Sequence, residues 1–163
     1  MQYGKHIVKA PMEYSVCTGC GSCEIICGLM HEGASSPSYR RIWLDHGQSQ
    51  KRVYKIYSCQ HCVDHPCYDA CPKKDEAMLL DENGIVYINE EACIGCGMCQ
   101  RACTFQPPRI NMVNSKDKKK RKAKKCDLCR NRPEGPACVE YCPAVCLGVS
   151  GETLAWEEKR GES

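Results

Sequence analysis

The chain has 163 residues, a formal net charge of +3 and seventeen cysteines against one phenylalanine. Cysteine lies above the roughly 8–10% that marks a disulfide scaffold, yet Met1 to Ala10 has neither the apolar core nor the small-residue cleavage site of an export signal. No run approaches the roughly 18 apolar residues of a membrane span, so the expectation is a cytoplasmic chain whose thiols stay reduced and free for metal.

Taken in order, the chain is punctuated by four cysteine quartets. Cys17, Cys20, Cys23 and Cys27 come first, with a short helix expected over Glu24 to His31. Arg41 to Leu44 and Val53 to Tyr57 read as short strands joined through the polar loop Asp45 to Arg52. The second quartet is Cys59, Cys62, Cys67 and Cys71, followed by Pro72. Ala77 to Leu80 and Ile85 to Ile88 read as a β-hairpin, with Asn83-Gly84 supplying turn residues. The third quartet is Cys93, Cys96, Cys99 and Cys103, with a short helix over Gln100 to Ala102. The stretch from Asn114 to Lys125 is dominated by lysine and reads as a solvated hairpin tip. A docking surface for an acidic partner is the next reading of that run. Nucleic acid ranks last, because no aromatic platform or recognition motif accompanies the charge. Cys126, Cys129, Cys138 and Cys142 complete the quartets, followed by Pro143, the leftover Cys146 and a charged tail, Gly151 to Ser163, that carries Leu154 and Trp156.

Every quartet opens with a two-residue gap and closes with a three-residue gap. Two sulfurs separated by two residues on a tight loop can face one metal centre. A cysteine three residues beyond the others lies about one helical turn on and points toward a neighbouring centre. Four-cysteine zinc sites instead use close pairs divided by long spacers, so a zinc interaction module is the distant alternative to iron–sulfur. Three-iron clusters arise when a ligand is missing, and no quartet lacks one. Four 4Fe–4S clusters with thiolate ligands carry about −8 together, giving about −5 for the loaded chain (+3 − 8). Gly19, Gly21, Gly95 and Gly97, beside the ligands, let backbone amides approach inorganic sulfur. His61 and His65 flank Cys62; one reading has an imidazole N–H donating to a cluster sulfur, the other gives them no redox role. Cys146 reads as a small buried packing group beside a cluster. No dinucleotide fingerprint or catalytic triad is visible, so chemistry on a substrate is expected of a partner.

The fold expected is α+β, with two bacterial-ferredoxin-like modules interleaved and built from short helices and β-hairpins around the clusters. Residues 57–109 form the inner module with quartets two and three. Residues 1–56 and 110–150 form a split outer module with quartets one and four, and 151–163 a tail.

The order of the four quartets, from about Tyr14 to Val149, resembles the four-cluster ferredoxin-like subunits of molybdenum and tungsten oxidoreductase complexes. That family includes the iron–sulfur subunits of dimethyl sulfoxide reductase and formate dehydrogenase. The resemblance implies crosswise ligation. Cluster one takes Cys17, Cys20, Cys23 and Cys142; cluster two takes Cys27, Cys126, Cys129 and Cys138. Cluster three takes Cys59, Cys62, Cys67 and Cys103; cluster four takes Cys71, Cys93, Cys96 and Cys99. The chain departs from the family at Cys103-Thr104, where proline is common, which bears on hydrogen bonding near cluster three. The stretch Cys23 to Gly33, with Ser36-Pro37 and Arg41-Ile42, also looks like subunits that accompany tungsten aldehyde oxidoreductases. These include the partner of class II benzoyl-coenzyme A reductase. The implied function is non-catalytic electron transfer to or from a large tungsten or molybdenum subunit, with a further donor or acceptor protein. A carbon monoxide dehydrogenase, hydrogenase or formate dehydrogenase complex is the alternative setting.

Because the ligand set scarcely exists in an unfolded chain, metal binding and folding are coupled. Iron removal is expected to leave the protein largely unfolded by circular dichroism; a cooperative, near-native spectrum after chelation would contradict this.

Overall fold

Four short helices and eight short strands make up the regular structure of the computed structural model, which describes residues 2–13, 17–47, 53–114, 120–152 and Leu154. In chain order these are β1 (Ile7–Lys9), α1 (Ser22–Glu32), β2 (Trp43–Asp45), β3 (Lys55–Tyr57), α2 (Pro66–Asp69), β4 (Met78–Leu80), β5 (Val86–Ile88), α3 (Met98–Arg101), β6 (Ile110–Asn114), β7 (Arg121–Lys125), α4 (Ala137–Glu140) and β8 (Leu147–Val149). The strands form four antiparallel pairs, β1–β8, β2–β3, β4–β5 and β6–β7. Among the described residues no helix is long and apolar enough to cross a membrane. Two units emerge, one of Met1–Lys5 with Cys59–Asp127, the other of His6–Ser58 with Leu128–Ser163.

The first unit holds the expected hairpin. Met78 faces Ile88 and Leu80 faces Val86. The connection is longer than a two-residue turn, because Asp81 organises it. Its carboxylate accepts the N–H groups of Asn83 and Ile85 at 3.0 and 2.8 Å, and Gly84 takes φ +76°. Met78, Val86, Cys99, Ile110 and Ala123 form the buried core, with Cys67, Cys71 and Cys93 packed against it. Cysteines thus fill positions that phenylalanine or leucine would occupy in an ordinary domain. The hairpin β6–β7, Ile110 to Lys125, belongs to this unit. Its tip, residues 115–119, lies outside the described residues. The C-terminal half of the lysine run is not a solvated tip: Lys124 and Lys125 are 5% and 2% exposed. Lys124 pairs with Glu90 at 2.9 Å, and Lys122 donates to the Cys93 carbonyl at 2.7 Å. A run of identical charges says nothing about which side of a strand faces inward, and three of these lysines reach the chain's own acceptors.

In the second unit β1 and β8 pair Ile7 with Val149 and Lys9 with Leu147. The Ser150 N–H donates to the His6 carbonyl, and the Ser150 hydroxyl accepts the His6 N–H at 3.0 Å across 144 residues of sequence. Helix α1 begins one residue before Cys23, not after it, because Gly21 takes φ +75° and turns the chain into the helix. It ends at Gly33, φ +71°, whose N–H bonds the Leu29 carbonyl in an αL cap. Glu24 ties the helix to β2, accepting the Leu44 N–H at 2.6 Å and pairing with Arg40 at 2.7 Å. The strands β2 and β3 pair Trp43 with Tyr57 and Asp45 with Lys55. Part of the expected loop Asp45 to Arg52, residues 48–52, lies outside the described residues, as does Trp156 in the tail.

One backbone device recurs in all four quartets. The residue just before the second cysteine has positive φ: Gly19 (+72°), His61 (+43°), Gly95 (+73°) and Leu128 (+55°). This left-handed residue reverses the chain between the first two sulfurs. Glycine adopts it without strain, whereas a side-chain-bearing residue loses roughly 1–2 kcal/mol. At Gly95 a second constraint is added: a Cβ would stand 2.1 Å from the Arg121 carbonyl oxygen of β7. Gly97→Ala would meet nothing closer than the flexible Arg101 guanidinium at 3.8 Å. Gly95→Ala is therefore expected to destabilise the loaded protein by at least about 2 kcal/mol and Gly97→Ala by clearly less; equal melting temperatures for the two variants would contradict the close approach.

Candidate metal centres

Among the described residues, three clefts of similar size are each lined by four of the quartet cysteines. The first, in the second unit, encloses about 320 Å³ counted to its open mouth and is lined by Cys17, Cys20, Cys23 and Cys142. Cys23 comes from the first turn of α1; Cys142 follows α4, which packs against α1. Leu44, Ile56 and Leu147 close its walls. Burial pushes the Cys23 thiol up to about 12, with the Glu24 carboxylate adding to the effect. Cys20 is exposed, and the Ser22 hydroxyl at 3.3 Å holds its thiol below the ordinary range. Cys146 is buried in the same wall, its sulfur 3.5 Å from that of Cys142. Its thiol is pushed up, first by burial and then by Cys142.

The other two clefts lie in the first unit. One, about 360 Å³, is lined by Cys59, Cys62, Cys67 and Cys103 together with His61, Thr104, Val86 and Arg109. Burial raises Cys67 to about 12, with the Lys125 ammonium pulling in the opposite direction. Backbone N–H groups aim at sulfur here: that of His61 at Cys59 Sγ, 3.4 Å, and that of Arg109 at Cys103 Sγ, 3.2 Å. His61 itself is 1% exposed. Its Nδ1 accepts the Val86 N–H at 3.2 Å, which leaves Nε2 as the protonated nitrogen of the neutral ring. The last cleft, about 340 Å³, is lined by Cys71, Cys93, Cys96 and Cys99, with Met78, Ile88, Met112 and Ala123 as its walls. Burial pushes Cys99 up to about 11, followed by the neighbouring Cys93 thiol, and also raises Cys71.

The remaining cysteines are Cys27, Cys126, Cys129 and Cys138. Cys27 and Cys138 lie on α1 and α4 of the second unit, Cys129 in the loop before α4, and Cys126 directly after β7 in the first unit. Their grouping rests on the sequence pattern. The Arg41 N–H donates to Cys27 Sγ at 3.2 Å.

The donor chemistry suits an iron–sulfur group. Thiols are soft ligands that prefer iron–sulfur, zinc or copper(I) over hard cations. No carboxylate among the described residues lines any of the three clefts, which disfavours magnesium or calcium. The buried thiols of Cys23, Cys67 and Cys99 are held toward the protonated form by their apolar surroundings, and metal binding replaces those protons. Reading the sequence located these cysteines but missed Arg109 and Lys125. Arg109 follows Pro107-Pro108 with no pattern to mark it, and Lys125 is hidden in a run of like residues.

Comparison with known proteins agrees on the chemistry. Residues 51–152 match the family model described as a 4Fe-4S dicluster domain. The sequence is 36% identical over 160 residues to one subunit of the anaerobic dimethyl sulfoxide reductase of Escherichia coli (strain K12), covering 90% of this chain and 72% of that subunit. It is 38% identical over 134 residues to the polyferredoxin-like subunit of aliphatic sulfonate oxidoreductase from Pyrococcus furiosus, covering 77% of this chain and 66% of that subunit. Among solved structures, a component of the active site complex BamBC of benzoyl coenzyme A reductase aligns with a TM-score of 0.46 at 19% identity, over 99% of this chain and 88% of that component. At that score and identity the likeness is too distant to bear on function.

Proposed function

Since the chain belongs to the 4Fe-4S dicluster family, and the relatives named above are a chain of dimethyl sulfoxide reductase and a polyferredoxin-like subunit of a sulfonate oxidoreductase, we propose that it relays single electrons through four 4Fe–4S clusters to or from the tungsten or molybdenum centre of a catalytic partner. Such clusters, once bound, supply one-electron steps with little nuclear rearrangement. The observation that carries the reading is the set of three clefts of near-equal volume among the described residues, each walled by apolar side chains and four of the quartet cysteines.

We assign Cys17, Cys20, Cys23 and Cys142 to cluster one, and Cys27, Cys126, Cys129 and Cys138 to cluster two. Cys59, Cys62, Cys67 and Cys103 hold cluster three, and Cys71, Cys93, Cys96 and Cys99 hold cluster four. The chain's work is to bind, space and tune. Apolar walls exclude water and disfavour added negative charge. Backbone N–H groups such as those of His61, Arg41 and Arg109 offset this by donating to ligand sulfur. Cys20 and Cys96 are the exposed ligands, which makes clusters one and four the stations nearest solvent in their units. Electrons follow the shared pairs, one with two and three with four. In this reading the two ferredoxin-like modules are interleaved along the chain.

The tungsten side of this reading rests on the stretch Cys23 to Gly33, which is α1 with its glycine cap. Purification at native abundance should recover a large companion that contains tungsten or molybdenum by elemental analysis; a companion containing neither would refute the partner assignment while leaving the relay intact. A separate expectation concerns ligation: Cys27→Ser should disturb the cluster held mainly by Cys126, Cys129 and Cys138. Loss of only the signal assigned to Cys17, Cys20 and Cys23 in low-temperature EPR would contradict the crosswise scheme.

A further inference from the structure

Lys125 is the most deeply buried charged side chain among the described residues, 2% exposed. Its ammonium donates to the carbonyl oxygens of Val86 and, at 3.0 Å, Cys126. Among the described residues no carboxylate pairs with it, in contrast to Lys124, which holds both Glu90 oxygens at 2.9 Å. A buried cation without an anion is strongly disfavoured. Carbonyl dipoles alone do not neutralise it, so the charge points to a buried negative group that the protein alone does not supply.

Of the two carbonyls, that of Cys126 belongs to an assigned ligand of cluster two, and that of Val86 borders a cleft within the first unit. Val86 accepts from Lys125 through its carbonyl and donates through its N–H to His61 Nδ1. Both Val86 and His61 line the cleft of Cys59, Cys62, Cys67 and Cys103. In the β6–β7 register Lys125 also stands opposite Ile110, which lines the same cleft. Around the cleft of Cys71, Cys93, Cys96 and Cys99 the lysines are less buried: Lys73 is half-exposed and paired with Glu76 at 2.7 Å, and Lys122, half-buried, donates to the Cys93 carbonyl at 2.7 Å. Positive charge stands beside both clefts of this unit, but only Lys125 is fully buried without a carboxylate partner among the described residues.

We propose that Lys125 is a built-in counter-cation that raises the reduction potential of the centre held by Cys59, Cys62, Cys67 and Cys103 above that of the centre held by Cys71, Cys93, Cys96 and Cys99. The inference rests on the cluster assignment given above. Passing one electron from the Cys71 set to the Cys59 set moves one negative charge toward the ammonium; no bond breaks and no proton moves. Lys125 touches no substrate and acts through the centre beside it, so it is a positioning and tuning residue. It makes the Cys59 set the electron-accepting station of its unit.

The test is a potentiometric titration of the loaded full chain followed by low-temperature EPR, comparing wild type with Lys125→Gln and Lys125→Arg. Glutamine keeps a donor for the two carbonyls and removes the charge; arginine keeps the charge. The signal of interest is identified as the one lost in Cys62→Ser. Lys125→Gln should lower its midpoint potential by a tenfold change in the one-electron equilibrium or more, about 59 mV, with the other signals in place and Lys125→Arg close to wild type. An unshifted potential in Lys125→Gln, an equal shift in both variants or a common shift of all signals would overturn the proposal. Should Lys125→Gln bind less iron while Lys125→Arg loads fully, the charge is still the required feature. Iron loss in both variants would leave Lys125 a packing residue only and also overturn it. The relay reading fails separately, and before any variant is made, if reduced wild-type protein gives no iron–sulfur signals.

Discussion

Thiols confined in apolar clefts are the constraint on which the rest of this protein depends. Cys23, Cys67 and Cys99 are pushed to between about 11 and about 12 by burial, so water and protein together favour the neutral thiol. Iron inverts that preference, because a metal-bound sulfur is deprotonated outright. The core of the first unit counts Cys99 among its buried members and packs Cys67, Cys71 and Cys93 against them. Its apolar residues alone could not sustain a domain of this size, and three-residue strands are marginal unless something fixes their ends. Cluster binding and tertiary structure are therefore one equilibrium, in which the sulfur ligands act as the cross-links that a secreted protein of this composition would take from disulfides.

The backbone is shaped around that equilibrium. A left-handed residue before the second cysteine recurs at Gly19, His61, Gly95 and Leu128. Two of the four carry side chains there and accept the strain, about 1–2 kcal/mol each. His61 returns something for it: its ring is buried in the cleft wall and receives the Val86 N–H. The same Val86 residue accepts from Lys125 through its carbonyl. Loop conformation, hairpin register and buried charge thus converge on a single residue beside one of the centres. Such coupling lets one scaffold hold chemically identical clusters in unlike electrostatic surroundings, which an electron relay needs if its stations are to differ in potential.

What was legible in the sequence was local. Gaps between cysteines report directly on loop geometry, so the quartets, and with them the 4Fe-4S character of the family, are legible without coordinates. The β4–β5 hairpin was legible because alternation and an Asp-Glu-Asn-Gly turn lie within one short stretch. Helix α1 was visible apart from its start, which is set by Gly21. The pairing of β1 with β8 was not legible, since three residues such as Ile7-Val8-Lys9 carry no signal and their partner lies at the other end of the chain. Lys124 and Lys125 were misread as solvated because charge is a strong indicator of exposure on average, and only the packing of β7 shows that these two are covered. Arg109 was missed for the complementary reason: its contribution at Cys103 is a backbone N–H, which no side-chain pattern encodes.

In the function proposed above, four cages of cysteine sulfur, not an organic active site, make up the working part of this chain. Mössbauer spectroscopy on ⁵⁷Fe-loaded protein, combined with protein quantification, tests it most directly. About sixteen irons per chain are expected, all in tetrahedral sulfur coordination and falling into four sets of four that each change on taking up one electron; about eight irons, or stoichiometric zinc in a colourless protein, would contradict four sulfur-held clusters.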